Sequence, residues 1–152
     1  MSSDLTNISP TFYGISMVPK NKWREYGYAL LTIAGSDGIV SDPELEWLTL
    51  DMAREMGVDE EIVADWEEFD FESADLDDLF SSFNSSALAG FNKLLIYDAI
   101  RMSSADGDYA LEEKEQVHEA ARILKVAPEA VVAIEALVDL ENAANKLRMT
   151  IL

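Results

Sequence analysis

The chain has 152 residues, no cysteine and a formal net charge of −19, which suits one domain with a sizeable core and excludes a disulfide framework or a thiolate metal site. The charge argues against direct binding to nucleic acid, whose phosphates it would repel, and leaves cations or basic protein surfaces as partners. No apolar run approaches the roughly 20 residues of a membrane helix, and "MSSDLTNISPTFYGISMVPK" lacks a basic-then-apolar leader, so a cytoplasmic protein without membrane insertion is expected.

Apolar residues recur at helical spacing and strand signals are nearly absent. After Pro19, the stripe Trp23, Tyr26, Leu30 and Ile33 predicts a first helix, with Gly38 as its stop. "SDPE" predicts the next start: Ser41 as cap, Pro43 in the first turn and Glu44 closing a capping box. Leu45, Leu48, Met52 and Met56 form its expected buried face, and Gly57 ends it. Residues 59 to 78 contain no Lys or Arg and are mostly Asp and Glu, yet Ile62, Val63, Trp66, Phe69 and Phe71 punctuate them. Short helices clamped to a core by these aromatics fit better than a solvating tail. A central helix is expected from Ser86, apolar around most of its circumference, up to Asp106-Gly107. Another spans about Leu111 to Lys125, and Pro128 opens the last, with Val131, Ile134, Val138, Ala144 and Leu147 on one side. Six to seven helices with short loops make an all-α, single-domain bundle.

The chain repeats itself. "SDGIVSDPE" and "ADGDYALEE" share an Asp-Gly pair and a Glu seven residues past the Asp, at an offset of 69 from Gly38 to Gly107. "AREMGVDEEIV" and "ARILKVAPEAV" match at an offset of 68, from Ala53 to Ala121, so the halves differ by one residue in between. Each half reads helix, Asp-Gly turn, helix, short link, helix, and neither buries its apolar face alone.

An Asp at a helix C-terminus opposes the helix dipole by roughly 0.3–1 kcal/mol. Local bonds to turn amides offset that in one reading, with Glu44 and Glu113 favouring the starts of their own helices. In the other, Asp37, Glu44, Asp106, Asp108 and Glu113 hold a hard cation, Ca²⁺ or Mg²⁺. Zn²⁺ and copper suit the chain poorly, since it has one His and no Cys. The EF-hand does not fit: with Gly38 at its sixth position the first falls on Ile33, and with Gly107 there it falls on Met102. Nothing points to catalysis or to a cofactor. His118, the only imidazole, borders the stripe Val117, Ala121 and Leu124 and reads as a boundary residue. No phosphate-binding Gly-rich loop is present.

The paired turns, each following an apolar helix, resemble the TerB-like family. That family includes tellurite-resistance TerB proteins and the cytoplasmic domain preceding the J-domain of certain membrane-anchored DnaJ-like proteins. The resemblance runs from about Trp23 onward and rests on Asp37, Gly38 and Glu44, then Asp106, Gly107 and Glu113. It implies an all-helical fold with an internal repeat, a stress-response role, divalent-cation binding, assembly with other proteins and no established catalytic activity. The chain reads as a divergent member, with a long acidic insert and Ala110 in place of the Ser41 cap. The expected organisation is an N-terminal extension over 1–18 and one domain over 19–152. Its repeat halves cover about 19–68 and 86–152, and its acidic insert about 59–83. The leading functional expectation is a noncatalytic module that binds a protein partner and a divalent cation through its acidic turns. An acidic decoy that mimics nucleic acid and blocks a basic DNA-binding protein is the alternative, and a metal-dependent hydrolase is the second.

Overall fold

The computed structural model describes residues 18–35, 38–75, 77–79, 91–105, 107 and 109–152. A 3₁₀ turn, Lys20–Lys22, leads into α1, Trp23–Ala34. Then come α2, Asp42–Glu46, a π-helical segment, Trp47–Met52, and α3, Ala53–Met56, which run on as one rod. α4 is Glu60–Glu68, α5 Asn92–Ser103, α6 Leu111–Ile123 and α7 Pro128–Ile151. The fold is all-α, with no strand among the described residues.

α5 is the central rod. It packs against α1, α6 and α7, and buries Leu95, Ile96, Tyr97, Asp98, Ala99, Ile100 and Met102, which reach around most of its circumference, as its apolar pattern predicts. Tyr26, Leu30 and Ile33 of α1, Val117, Ala120 and Ala121 of α6, and Val131 and Val138 of α7 are buried in the same core. Trp66 of α4 is 1% exposed and donates from Nε1 to the Arg24 carbonyl at 3.2 Å, so the aromatics of the acidic stretch do anchor it.

The repeat is carried by the backbone. α1 and α5 correspond residue for residue at an offset of 69. The Gly35 amide bonds to the Leu31 carbonyl and the Gly38 amide to that of Gly35; Ser104 to Ile100 and Gly107 to Ser104 repeat both bonds. Gly38 and Gly107 have φ of 95° and 88°, which glycine adopts without a Cβ penalty. The capping residues Ser41 and Ala110 have φ/ψ of −69°/158° and −68°/163°.

Further on, Gly57 and Lys125 take the left-handed conformation, φ 70° and 61°. Val58 and Val126 then bond back to Ala53 and Ala121, a helix-terminating arrangement now offset by 68. The one-residue slip is resolved between Glu44 and Ala53, where the rod turns π-helical. The Ala53 amide reaches the Leu48 carbonyl, five residues back. An extra residue absorbed as a π turn leaves the flanking helical faces in register.

Two expectations are corrected, and one lies partly outside the described residues. α1 ends at Ala34 with Gly35 as its cap, so Gly38 shapes the corner between helices and does not stop the helix. The central helix is described over Asn92–Ser103; its expected start at Ser86 lies outside the described residues. Leu147 of α7 is 59% exposed, because this helix carries two apolar stripes and the expected one merges them. Val131, Ile134 and Val138 face the core, while Leu137, Leu140, Leu147 and Ile151 face outward.

Candidate functional site

Of the five carboxylates considered as ion ligands, Asp37, Asp106 and Asp108 lie outside the described residues. Glu44 and Glu113 each turn to the start of their own helix. Glu44 is buried, and its Oε1 accepts from the Ser41 amide at 2.9 Å while the Ser41 hydroxyl accepts from the Glu44 amide at 3.3 Å. Glu113 Oε2 accepts from the Ala110 amide at 3.0 Å; alanine has no oxygen to return the bond, so only half of the box exists here. Both carboxylates also favour the positive ends of their helices. Among the described residues no group of three or more His, Cys, Asp or Glu is placed to hold a metal ion, and Ca²⁺ wants six to eight oxygens.

A different site emerges where α5 ends. The π segment and α3 form one wall, α7 the other and the last turn of α5 the floor of a groove of about 1060 Å³. Its floor is built from buried polar chemistry. Asp98, with 0% exposure, accepts from the Tyr26 hydroxyl at 2.9 Å and from Arg101 Nη1 at 3.0 Å. That bond holds the Arg101 guanidinium over the rings of Trp47 and Tyr97, 5.2 Å from each centroid, a doubly stacked cation. The Tyr97 hydroxyl donates across to Glu141 of α7 at 2.7 Å. Leu50, Leu140 and Ala144 supply the apolar part of the walls, and Arg54 and Arg148 lie at the rim.

Tyrosine–carboxylate pairs recur as braces between helices. Tyr26 joins α1 to α5, Tyr97 joins α5 to α7, and Tyr109, just before α6, donates to Glu135 of α7 at 2.8 Å. Burial pushes all three phenols above the ordinary tyrosine value, and the neighbouring carboxylates push the same way. They therefore stay protonated as hydrogen-bond donors at neutral pH. His118 Nε2 lies 3.2 Å from the same Glu135 and its side chain is 39% exposed, the boundary position its spacing predicts. A smaller cavity of about 320 Å³ opens beside it, between α6 and the start of α7.

The groove escaped the sequence reading because three segments far apart in the chain build it, from residues that pattern as core. One signal was present: Asp98 and Arg101, three apart, on a helix otherwise read as buried on all sides. A charge there requires a partner.

No family model matches the chain, and no curated protein does. Among solved structures, a tellurite resistance protein from Nostoc punctiforme is similar, at 25% identity and a TM-score of 0.77, over 90% of this chain and 84% of that one. Its name, its overlap with nearly the whole helical body and the doubled corner found here converge: the chain has the TerB-like fold, in a divergent sequence.

Proposed function

We propose that this chain is a noncatalytic stress-response module that docks a protein partner in the groove over the end of α5. The observation that carries this is the pairing of exposed apolar walls with a rigidly held cation. Leu140 is 69% exposed beside Arg101, whose position Asp98, Trp47 and Tyr97 fix from three sides. Fixed polar groups beside apolar surface are what a protein interface needs for orientation and affinity. No described helix is long and apolar enough to cross a membrane. A cation at the acidic corners has less behind it, because Glu44 and Glu113 are engaged at their own helix caps.

The similarity to a tellurite resistance protein suggests the readout. In a host deleted for this gene, survival on tellurite is compared after complementation with the native chain and with Leu140→Glu/Ala144→Arg. The double variant should fail to protect while keeping the native far-UV spectrum and melting temperature, since both side chains face the groove. Full protection by the variant would remove the groove from the function.

A further inference from the structure

α7 is far longer than its packing requires. It runs for 24 residues, about 36 Å at helical rise, yet only Val131 and Val138 on it are buried. Beyond Glu141, which holds Tyr97, every residue except Ala144 is exposed. A helix end without packing is marginal in water, and this one displays Leu147, Met149 and Ile151 to solvent.

The exposed apolar residues are not scattered. Leu137, Leu140, Ala144, Leu147 and Ile151 follow alternating steps of three and four, the spacing by which one helix pairs with another. The stripe lies on the far side of α7 from Val131 and Val138, and its Leu140 and Ala144 line the groove. Its charge also differs from that of the rest of the chain. Residues 137–152 carry Asp139, Glu141, Lys146 and Arg148, balancing to zero in a protein of net charge −19. Repulsion between two copies is therefore weakest here.

We infer that the occupant of this face is the α7 helix of a second copy, paired antiparallel with Ala144 opposite Leu147 of the other helix and Leu140 opposite Ile151. This rests on the reading of the groove as a docking surface and names its partner. Charge selects the register. With Ala144 facing Leu147, the flanking positions place Glu141 of each helix beside Arg148 of the other. Sliding by one heptad either way sets Glu141 against Glu141 or Arg148 against Arg148. A parallel pair brings neither charge to a partner, because Ala143 and Thr150 occupy the facing flank. The pairing is two-fold symmetric, so one set of residues serves both sides.

The absence of native cysteine makes the test clean. Leu140→Cys and Ile151→Cys are prepared separately and treated with a short bis-maleimide, alone and mixed; in the antiparallel register each lies opposite the other and about 16 Å along the axis from its own copy. Cross-linked dimer should be several-fold more abundant in the mixture than with either protein alone. Sedimentation of the native chain should show a concentration-dependent dimer, and Leu140→Glu/Leu147→Glu should raise its dissociation constant by roughly a hundredfold. Equal cross-linking of each variant with itself would overturn the antiparallel register. A monomer at every concentration would overturn self-pairing, and if Leu140→Glu/Ala144→Arg still abolished protection, the docking surface would stand with a different protein as occupant. Loss of neither dimer nor protection would remove both.

Discussion

The two halves of this molecule share a backbone and differ in what they do with it. In the first, a serine caps the rod, a glycine ends it and a nine-residue helix follows. In the second, alanine and lysine hold the same two conformations, and the helix that follows is 24 residues long. Tyr28 and Tyr97, equivalent at an offset of 69, show the divergence at one position. Tyr28 stacks on Phe69, centroids 4.3 Å apart, whereas Tyr97 reaches Glu141 with its hydroxyl. The first half has the better local signals and closes on itself through aromatics. The second has weaker caps and is braced by polar pairs at a groove. The aromatic clamp belongs to one copy; the buried ion pair of the groove belongs to the other, with Trp47 and Leu50 of the first completing its wall.

The sharpest way to break the comparison is by length. If the π segment is one extra residue absorbed without turning the flanking faces, deleting Leu50 should leave a folded protein within about 2 kcal/mol of the native stability, since the rod reverts to plain α-helix. Deleting Glu115 from α6, where no π turn exists, should abolish cooperative unfolding. Everything beyond it on that helix rotates by about 100°, carrying Val117, Ala120 and Ala121 out of the core. Urea titrations followed by far-UV circular dichroism compare the two; equal losses would mean that the π turn is not where the halves differ.

A second contrast lies at Gly27, whose counterpart in α5 is Ile96. Gly to Ala inside a helix ordinarily adds up to about 1 kcal/mol. At Gly27 the new Cβ would fall inside the Trp66 indole, and that ring is buried with its nitrogen bonded to Arg24. Gly27→Ala should therefore destabilise, by about 1–3 kcal/mol. A stabilised protein would show that α4 is held less firmly than its buried tryptophan indicates.

What the sequence disclosed and what it hid follow from the range of the interactions. The corners were readable because Gly38, Gly107, Ser41, Glu44 and Glu113 act within a few residues of themselves. The slip from 69 to 68 was visible as a number but not as a π turn, since "WLTLDM" has the composition of any helix. The groove was unreadable because Trp47, Arg101 and Leu140 meet only after the bundle is assembled. The two stripes of α7 were blurred into one because Ala144 and Leu147 lie one step from where a core stripe would put them. Trp66 was found, because in a run of carboxylates an isolated aromatic has little else to do than anchor.

The smallest effects test whether the second half is under-capped, as the comparison holds. Ala110 already has the extended backbone of Ser41, to within a few degrees, and Glu113 already returns its half of the box. A hydroxyl at 110 should reach the Glu113 amide as Ser41 reaches that of Glu44, so Ala110→Ser should add about 0.5–2 kcal/mol. Lys125 sits at φ 61° where the first half has Gly57, and relieving that conformation in Lys125→Gly should add about 1 kcal/mol. The two sites stand at opposite ends of α6, so their effects should sum. Thermal unfolding of the single and double variants reads both gains. If the double variant is no more stable than the native chain, the shared backbone of the two halves does not carry shared energetics, and the caps of the second half are satisfied by something other than the residues that satisfy the first.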